Sequence, residues 1–255
     1  MSRHRSSHSS APEGGAFWLY GLHAAEAALA NPSRKIRKAV ATDRVAAELG
    51  AKLARIRPEI SSLDSVARLL PPAAVHQGIA LLCEPLPRLD MEDVLGAPNT
   101  ETTGRRIVAV LDQITDPHNE GAILRSAAAF GVSAVVVQDR HAPPESGALA
   151  KAASGALDMV PRITVVNIAR ALEELGELGF WRIALAGDGE TAMSDAAREG
   201  DVAVALGAEG GGLRRLVRER CDVAAFIPMD AAIGSLNVSN AAAIAFYELR
   251  RSARG

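Results

Sequence analysis

The chain reads as an α/β protein: a parallel sheet with helices on both faces, preceded by a smaller α/β unit. Three observations predict this. From Arg106 onward, strand and helix signals alternate, the pattern of a parallel sheet crossed by helices. Hydrophobic residues make up 48% of the 255 but aromatics only 4%, so the core is built from Ala, Val, Leu and Ile, as suits parallel strands that read as short apolar runs. Between two well-patterned regions lies a stretch rich in Pro, Gly, Thr and Asn, over 85–104, which reads as a linker.

Taken in order, the polar start Met-Ser-Arg-His-Arg-Ser-Ser-His-Ser-Ser lacks the apolar stretch of a signal peptide, and 1–16 reads as a disordered tail. A first unit follows over 17–84. Tyr20-Gly-Leu-His-Ala-Ala-Glu-Ala-Ala-Leu begins a helix, and Lys35–Ala41 is a strand. Two helical patterns run from Val45 to Ile56 and from Leu63 to Leu70. Val75–Cys83 closes the unit as a strand, ended by Pro85 and Pro87. In the second unit, 105–255, strands are expected at Ile107–Leu111, Ala134–Gln138, Arg162–Val166, Arg182–Ala186, Val202–Leu206 and Ala224–Ile227. The last helix is expected from about Asn237 to Arg250.

Composition excludes several classes. The net charge of −2 gives no bulk sign of nucleic-acid binding, so a polyanion would have to meet local clusters. Candidates are Arg34-Lys35 with Arg37-Lys38, Arg105-Arg106, and Arg214-Arg215 with Arg218 and Arg220; each, taken singly, reads first as a solvated helix face or strand flank. Two cysteines, Cys83 and Cys221, are too few for a disulfide framework or a cysteine zinc site, and suit core filling in a reducing cytoplasm. The histidines are scattered without ligand spacing, so no metal is expected. No apolar run reaches the roughly 20 residues that span a membrane.

Three segments carry the chemistry. Near the C-terminus, Ile227-Pro-Met-Asp-Ala-Ala-Ile-Gly-Ser-Leu-Asn-Val-Ser-Asn leads into an alanine-rich helix. Ser235, Asn237, Ser239 and Asn240 crowd its start with more donors and acceptors than one N-cap requires. Val202-Ala-Val-Ala-Leu-Gly-Ala-Glu-Gly-Gly-Gly-Leu-Arg-Arg is a buried strand delivering Gly207 and a glycine run at its carboxyl end, where ligands bind in open α/β sheets. Neither a phosphate loop nor a dinucleotide fingerprint matches its spacing. Leu111-Asp-Gln-Ile-Thr-Asp-Pro-His-Asn-Glu-Gly-Ala-Ile-Leu-Arg is a strand end, a polar loop and a helix, with Gly121 and Arg125 one turn apart. The missing side chain at Gly121 is expected to open space for an anion to reach the Arg125 guanidinium.

Together and in this order, the three segments resemble the SpoU (TrmH) branch of the SPOUT RNA methyltransferases, from about Arg105 to the end. The resemblance implies a deep trefoil knot formed by the last helix, S-adenosylmethionine as cofactor, and transfer of its methyl group to a ribose 2′-hydroxyl. By motif match, Gly207, Ile227, Met229 and Leu236 would line the cofactor pocket, and Asn119, Arg125, Glu209, Ser235 and Asn237 would carry the transfer. The family holds the arginine essential for activating the ribose hydroxyl. With a pKa above 12 it is a poor general base, so a phosphate clamp is the preferred role. Ala231 and Asn240 stand where glycine and valine are common, which touches pocket shape and no transfer residue. Tyr20-Gly-Leu-His-Ala and His76-Gln-Gly-Ile-Ala are similar to the substrate-binding domain, of ribosomal-protein L30e type, of rRNA-targeting members.

The implied reaction is methylation of a guanosine in 23S rRNA by a cytoplasmic homodimer. The implied dimer interface is the alanine-rich helix, with Ala241, Ala242, Ala243, Ala245, Ile244 and Leu249. A tRNA methyltransferase is the second reading, disfavoured because tRNA-specific relatives more often lack such an N-terminal unit. A noncatalytic RNA-binding protein is the third, and the intact polar residues argue against it.

Overall fold

The structure, a computed structural model, describes residues 15–97, 104–230 and 235–252. The expected tail falls outside these residues up to position 14. The first unit comprises β1 (Phe17–Tyr20), α1 (Leu22–Ala30), β2 (Ile36–Ala41), α2 (Asp43–Leu49), α3 (Ala51–Ala54), β3 (Glu59–Ile60), α4 (Leu63–Ala67) and β4 (Ile79–Cys83). Its mixed sheet has the order β1-β4-β2-β3. β1 escaped the sequence reading because four residues are too few to show a period; it is held by antiparallel pairing with β4. β4 starts later than expected because Gln77 and Gly78 both have positive φ, which no strand accommodates. The helix expected from Val45 to Ile56 breaks at Gly50, also at positive φ.

The stretch 85–104 contains α5 (Met91–Leu95), whose Met91 and Leu95 are buried. Beyond it come β5 (Ile107–Asp112), α6 (Pro117–Ala129), β6 (Ala134–Gln138), α7 (Gly147–Ala153), a 3-10 turn (Ala156–Asp158), β7 (Arg162–Val165) and α8 (Ile168–Glu177). They are followed by β8 (Trp181–Leu185), β9 (Thr191–Ala192), α9 (Met193–Ala196), β10 (Val202–Gly207), α10 (Arg215–Glu219), β11 (Val223–Phe226) and α11 (Val238–Arg251). All neighbouring strands are parallel, in the order β7-β6-β5-β10-β8-β11-β9.

The alternating strand residues explain why both faces need helices. Ile107, Ala109 and Leu111, with Val202, Val204 and Leu206, enter one core with α6, α7 and α11. Val108, Val110, Ala203 and Ala205 enter a second core with α5 and α8. The chain runs outward through β5, β6 and β7, then returns to build the other half. β5 and β10 therefore meet where the strand order reverses, the crevice at which such sheets bind ligands. The expected knot depends on how the chain passes from β11 to α11, and 231–234 of that passage, Ala231 included, lie outside the described residues.

Of the expected basic clusters, Arg34, Arg105, Arg106 and Arg214 are spent on the fold, while the remaining cations stay at the surface. Arg34 is buried, bonded to Asp158 and Glu145, and is removed from any RNA surface. Arg106 pairs with Asp201 and lies over the Phe180 ring. Arg105 caps the carbonyls of Arg198 and Gly200. Arg214, Arg215, Arg218 and Arg220 pair with Asp112, Glu219, Asp188 and Glu173. On α11, Ala242, Ala245 and Leu249 are buried in the chain's own core, so they leave the expected dimer interface; Ile244 and Tyr247 remain exposed. Among the described residues, no helix is long and apolar enough to cross a membrane.

Candidate active site

The three motif segments converge at the carboxyl end of the sheet. α6 begins with Asp116 as N-cap, its carboxylate accepting from the His118 N–H at 2.9 Å, and Pro117 in the first turn. This start presents Asn119, whose Nδ2 donates to Glu209 Oε1 at 3.1 Å. Asn237 caps α11 by accepting from the Ser239 N–H at 2.9 Å. Its Nδ2 is then left to donate to Asn119 Oδ1 at 3.0 Å and to Glu209 Oε1. Two amides and one carboxylate thus close a ring, one member from each segment.

Glu209 sits at the tip of a tight loop. The Gly212 N–H donates to the Ala208 carbonyl at 2.9 Å, and Gly210 and Gly212 have positive φ. A Cβ at Gly207 would fall on the backbone of Gly212 and Leu213, so this glycine lets the loop fold back on its own strand. Closure of the loop, and not only space for a ligand, therefore requires Gly207. The loop is tied down by Asp112, which is fully buried and paired in register with Gly207. Asp112 accepts the Arg214 N–H at 3.0 Å and its guanidinium at 2.6 and 2.8 Å.

Beside the ring lies a cavity of about 340 Å³ that contains Gly207, Ile227, Met229 and Leu236, all four expected pocket residues, together with Glu209 and Ser235. Leu185, Ala186 and Gly187, at the end of β8, also line it. The sequence reading missed them, although a glycine just after a buried strand is the same signal that singled out Gly207. A Cβ at Gly187 would meet nothing within 4 Å, so its backbone faces open space. A larger cavity, about 550 Å³, lies at the seam of the two units. Its charged groups are already committed: Arg88 to Asp139, Arg162 to Glu120, and Glu145 and Asp158 to Arg34. The smaller cavity is the better ligand site, because uncommitted backbone and the polar ring border it.

Arg125 stands apart from the ring. Six residues after Asn119, it lies roughly 240° further round the helix. It is exposed, and among the described residues its side chain makes no hydrogen bond or ion pair. The space expected at Gly121 is filled: a Cβ there would lie 2.5 Å from that of Ala152, so this glycine serves the packing of α6 on α7. Next to it, the buried Glu120 binds Arg162 at 2.6 Å. Burial pushes its carboxyl pKa up, against the opposing effect of that guanidinium. Among the described residues, no group of three His, Cys, Asp or Glu could hold a metal ion.

Known proteins resemble this chain in sequence and in fold. The profile of the SpoU rRNA Methylase family matches residues 106–247. The chain is 37% identical to the 23S rRNA (guanosine-2′-O-)-methyltransferase RlmB of Coxiella burnetii, over 91% of this chain and 94% of the relative. It is also 37% identical to the protein of that name from Vibrio vulnificus, over 92% and 96%. The SpoU methyltransferase AviRb of Streptomyces viridochromogenes, solved with AdoMet, has the same fold, with a TM-score of 0.76, 24% identity, and coverage of 93% of this chain and 90% of that one. A putative RNA methyltransferase of the TrmH family from Porphyromonas gingivalis superposes with a TM-score of 0.70 at 26% identity, covering 93% and 90%. The match of family profile, near-full-length relatives and fold shows that the chain belongs to the SpoU rRNA methylase family.

Proposed function

We propose that this protein is an S-adenosylmethionine-dependent 2′-O-methyltransferase acting on a guanosine of 23S rRNA. The observation that carries the reading is the Asn119–Glu209–Asn237 ring beside a cavity at the strand ends, in a chain related over nearly its whole length to RlmB enzymes. The cavity suits the cofactor: Leu185, Leu206, Ile227 and Leu236 offer apolar walls, and the backbone at Gly187 is open to close approach. When bound, the cofactor supplies a methyl group activated on a sulfonium.

The chain's residues supply position. In-line transfer demands fixed geometry, and orientation alone accounts for a large part of such rate enhancements. The ring holds the Glu209 carboxylate and both amides in place at the cavity rim, and Ser235 adds a hydroxyl there. Arg125, exposed and uncommitted, clamps an RNA phosphate. A guanidinium is a poor general base, so the ribose proton passes late in transfer to a phosphate oxygen.

RNA recognition is assigned to the unit 17–84. With Arg34 buried, the cations left of the cluster at β2 are Lys35, Arg37 and Lys38. The pairs of Arg37 with Glu84 and Lys38 with Glu59 are exposed and weak enough to be exchanged for phosphates. A second copy of the chain is assigned to the outer face of α11, where Ile244 and Tyr247 are exposed and Tyr247 meets Phe130 edge-on at 6.1 Å. An rRNA substrate places the protein in the cytoplasm.

The test is labelling from tritiated S-adenosylmethionine of unmodified 23S rRNA, 16S rRNA and tRNA transcripts, followed by mapping of 2′-O-methyl positions. One methylated guanosine in 23S rRNA is expected. Label confined to tRNA would replace the substrate, and label in none of the three would overturn the reading.

A further inference from the structure

We infer that Arg34 locks the N-terminal unit onto the methyltransferase unit as a fixed jaw, and so acts as a positioning residue that determines which ribose is methylated. The inference rests on the proposed reaction and deepens it.

Arg34 lies just before β2, between exposed Ser33 and Lys35, yet its own side chain is wholly buried. Its Nε donates to Asp158 Oδ1 at 2.7 Å, and its Nη1 donates to Glu145 Oε2 at 2.6 Å and to the Glu84 carbonyl at 2.9 Å. The guanidinium lies 5.7 Å from the centre of the Phe17 ring. Both carboxylates belong to the other unit, in the 3-10 turn and just before α7, and both side chains are at least nine-tenths buried. Glu145 also accepts the Leu86 N–H at 3.0 Å, and Asp158 accepts from Asn31 Nδ2 at 3.1 Å. Charges taken out of water in this way are tolerable only while the partners stay together, because separation strips each of its counter-charge.

The rest of the seam leaves no room for swinging. A Cβ at Gly147 would fall on the Trp18 carbonyl and the Tyr20 ring, so α7 meets β1 backbone to backbone. Gly155, at φ +98°, packs on the His23 carbonyl with a Cβ clearance of only 3.0 Å. Lys151 Nζ donates to Gln77 Oε1 at 3.0 Å, and the Leu22 N–H donates to the same oxygen. Gly21-Leu22-His23 and His76-Gln77-Gly78, the segments singled out in the first unit, thus meet each other and α7. One core runs without a break from Phe17, Leu19 and Ala28 to Leu149, Ala153 and Leu157.

α7 is the element between. Its other side packs on α6 at Gly121, two residues from Asn119 and one turn from Arg125. The recognition surface is therefore held at one distance from the transfer residues. An RNA that contacts the first unit can present only the ribose that lies at that distance, and spacing becomes a determinant of choice.

The test uses the full-length chain, as wild type, Arg34→Met and Gly147→Ala. The first removes the shared charge; the second wedges the seam with one methyl group and disturbs no ion pair. Small-angle scattering reads whether the units separate, S-adenosylmethionine calorimetry reads whether the second unit remains intact, and mapping on 23S rRNA reads the ratio of target to off-target 2′-O-methylation. Both variants should give an expanded particle, cofactor affinity within about twofold of wild type, and a target ratio reduced on the order of tenfold; loss of folded protein alone would lower both kinds of methylation equally. An expanded particle with unchanged selectivity overturns the role in choice, and a compact particle in both variants overturns the lock. Should wild type methylate no rRNA, the proposed reaction falls, while scattering still decides the lock.

Discussion

Asp112 and Arg214 form a buried clasp under the loop that carries Glu209: one carboxylate accepts both the backbone N–H and the guanidinium of the same arginine. Arg214 also donates to Gln138 at the end of β6, so the clasp spans three adjacent strand ends. Asp112 has no exposure at all, whereas Arg214 keeps 40% of its side chain exposed.

Arg214→Ala should therefore strand a buried carboxylate. Breaking a fully buried pair costs roughly 3–5 kcal/mol, and the access of water to Arg214 reduces the expectation here to about 2–3 kcal/mol. Thermal unfolding should show this loss. Calorimetry should show S-adenosylmethionine binding weakened on the order of tenfold, because the loop no longer holds Glu209 in place. Arg214→Lys, with one donor head instead of a fork, should fall between the two. Unchanged cofactor affinity in Arg214→Ala would remove the clasp from the site.

Gly187 and Gly207 border the same cavity but should fail differently. Gly207→Val places its side chain on the Gly212–Leu213 backbone, so the loop must move and the protein should lose stability along with cofactor affinity. At Gly187 an added Cβ meets nothing within 4 Å, so Gly187→Val should leave the melting temperature nearly unchanged while filling space beside the cofactor. Full affinity in Gly187→Val would argue that the cofactor lies elsewhere.

The contrast between these glycines shows where sequence reasoning reaches its limit. The order of strands and helices in the second unit was legible because each β-strand is a short apolar run and each helix has its own period. The three motifs pointed to Asn119, Glu209 and Asn237 because polar residues at helix starts and strand ends stand out from an aliphatic background. What a glycine or an arginine touches across the fold is not periodic. Gly121 looked like an opening and is a packing contact; Arg34 looked like a surface cation and is a buried clamp. β1 and α5 were missed because four or five residues are too few to display a pattern.

Neither cysteine should behave as a reactive thiol. Burial pushes both Cys83 and Cys221 up to about 12, although Arg34 and Arg182 pull the other way. At pH 8 the thiolate fraction is then about one in ten thousand. A disulfide reagent should titrate no thiol in the native protein and two after unfolding. Because both pKa values are raised on folding, these groups contribute stability that is intact below roughly pH 8.5, where unfolded thiols begin to ionise, and lost as pH rises toward 12. Rapid modification of native Cys83 would show that its core opens.

Charge placed on the outer face of α11 should separate the proposed dimer. Tyr247→Glu and Ile244→Glu alter exposed positions and should leave the fold within about 0.5 kcal/mol of wild type. Light scattering at micromolar concentration should give twice the chain mass for wild type and the chain mass for the double variant. A wild-type monomer would exclude this pairing.

Arg125 and the cations near β2 should separate catalysis from RNA affinity. The Arg125 side chain makes no internal bond among the described residues, so Arg125→Ala should keep its melting temperature, its cofactor binding and most of its RNA affinity. If Arg125 holds a phosphate at the reacting nucleotide, turnover should fall on the order of 100-fold or more, since misplacement by about 1 Å already costs that much. Replacing Lys35, Arg37 and Lys38 together by Ala should do the opposite. Removing a cation that neutralises one phosphate lowers the slope of log affinity against log salt by about 0.7–0.9, so RNA binding should weaken and its salt dependence flatten. Turnover at saturating RNA should stay near wild type, because these residues lie on the first unit, away from the Asn119–Glu209–Asn237 ring. Near-normal methylation by Arg125→Ala would refute its role as the clamp, and an unchanged salt slope in the three-site variant would return those cations to an ordinary solvated surface.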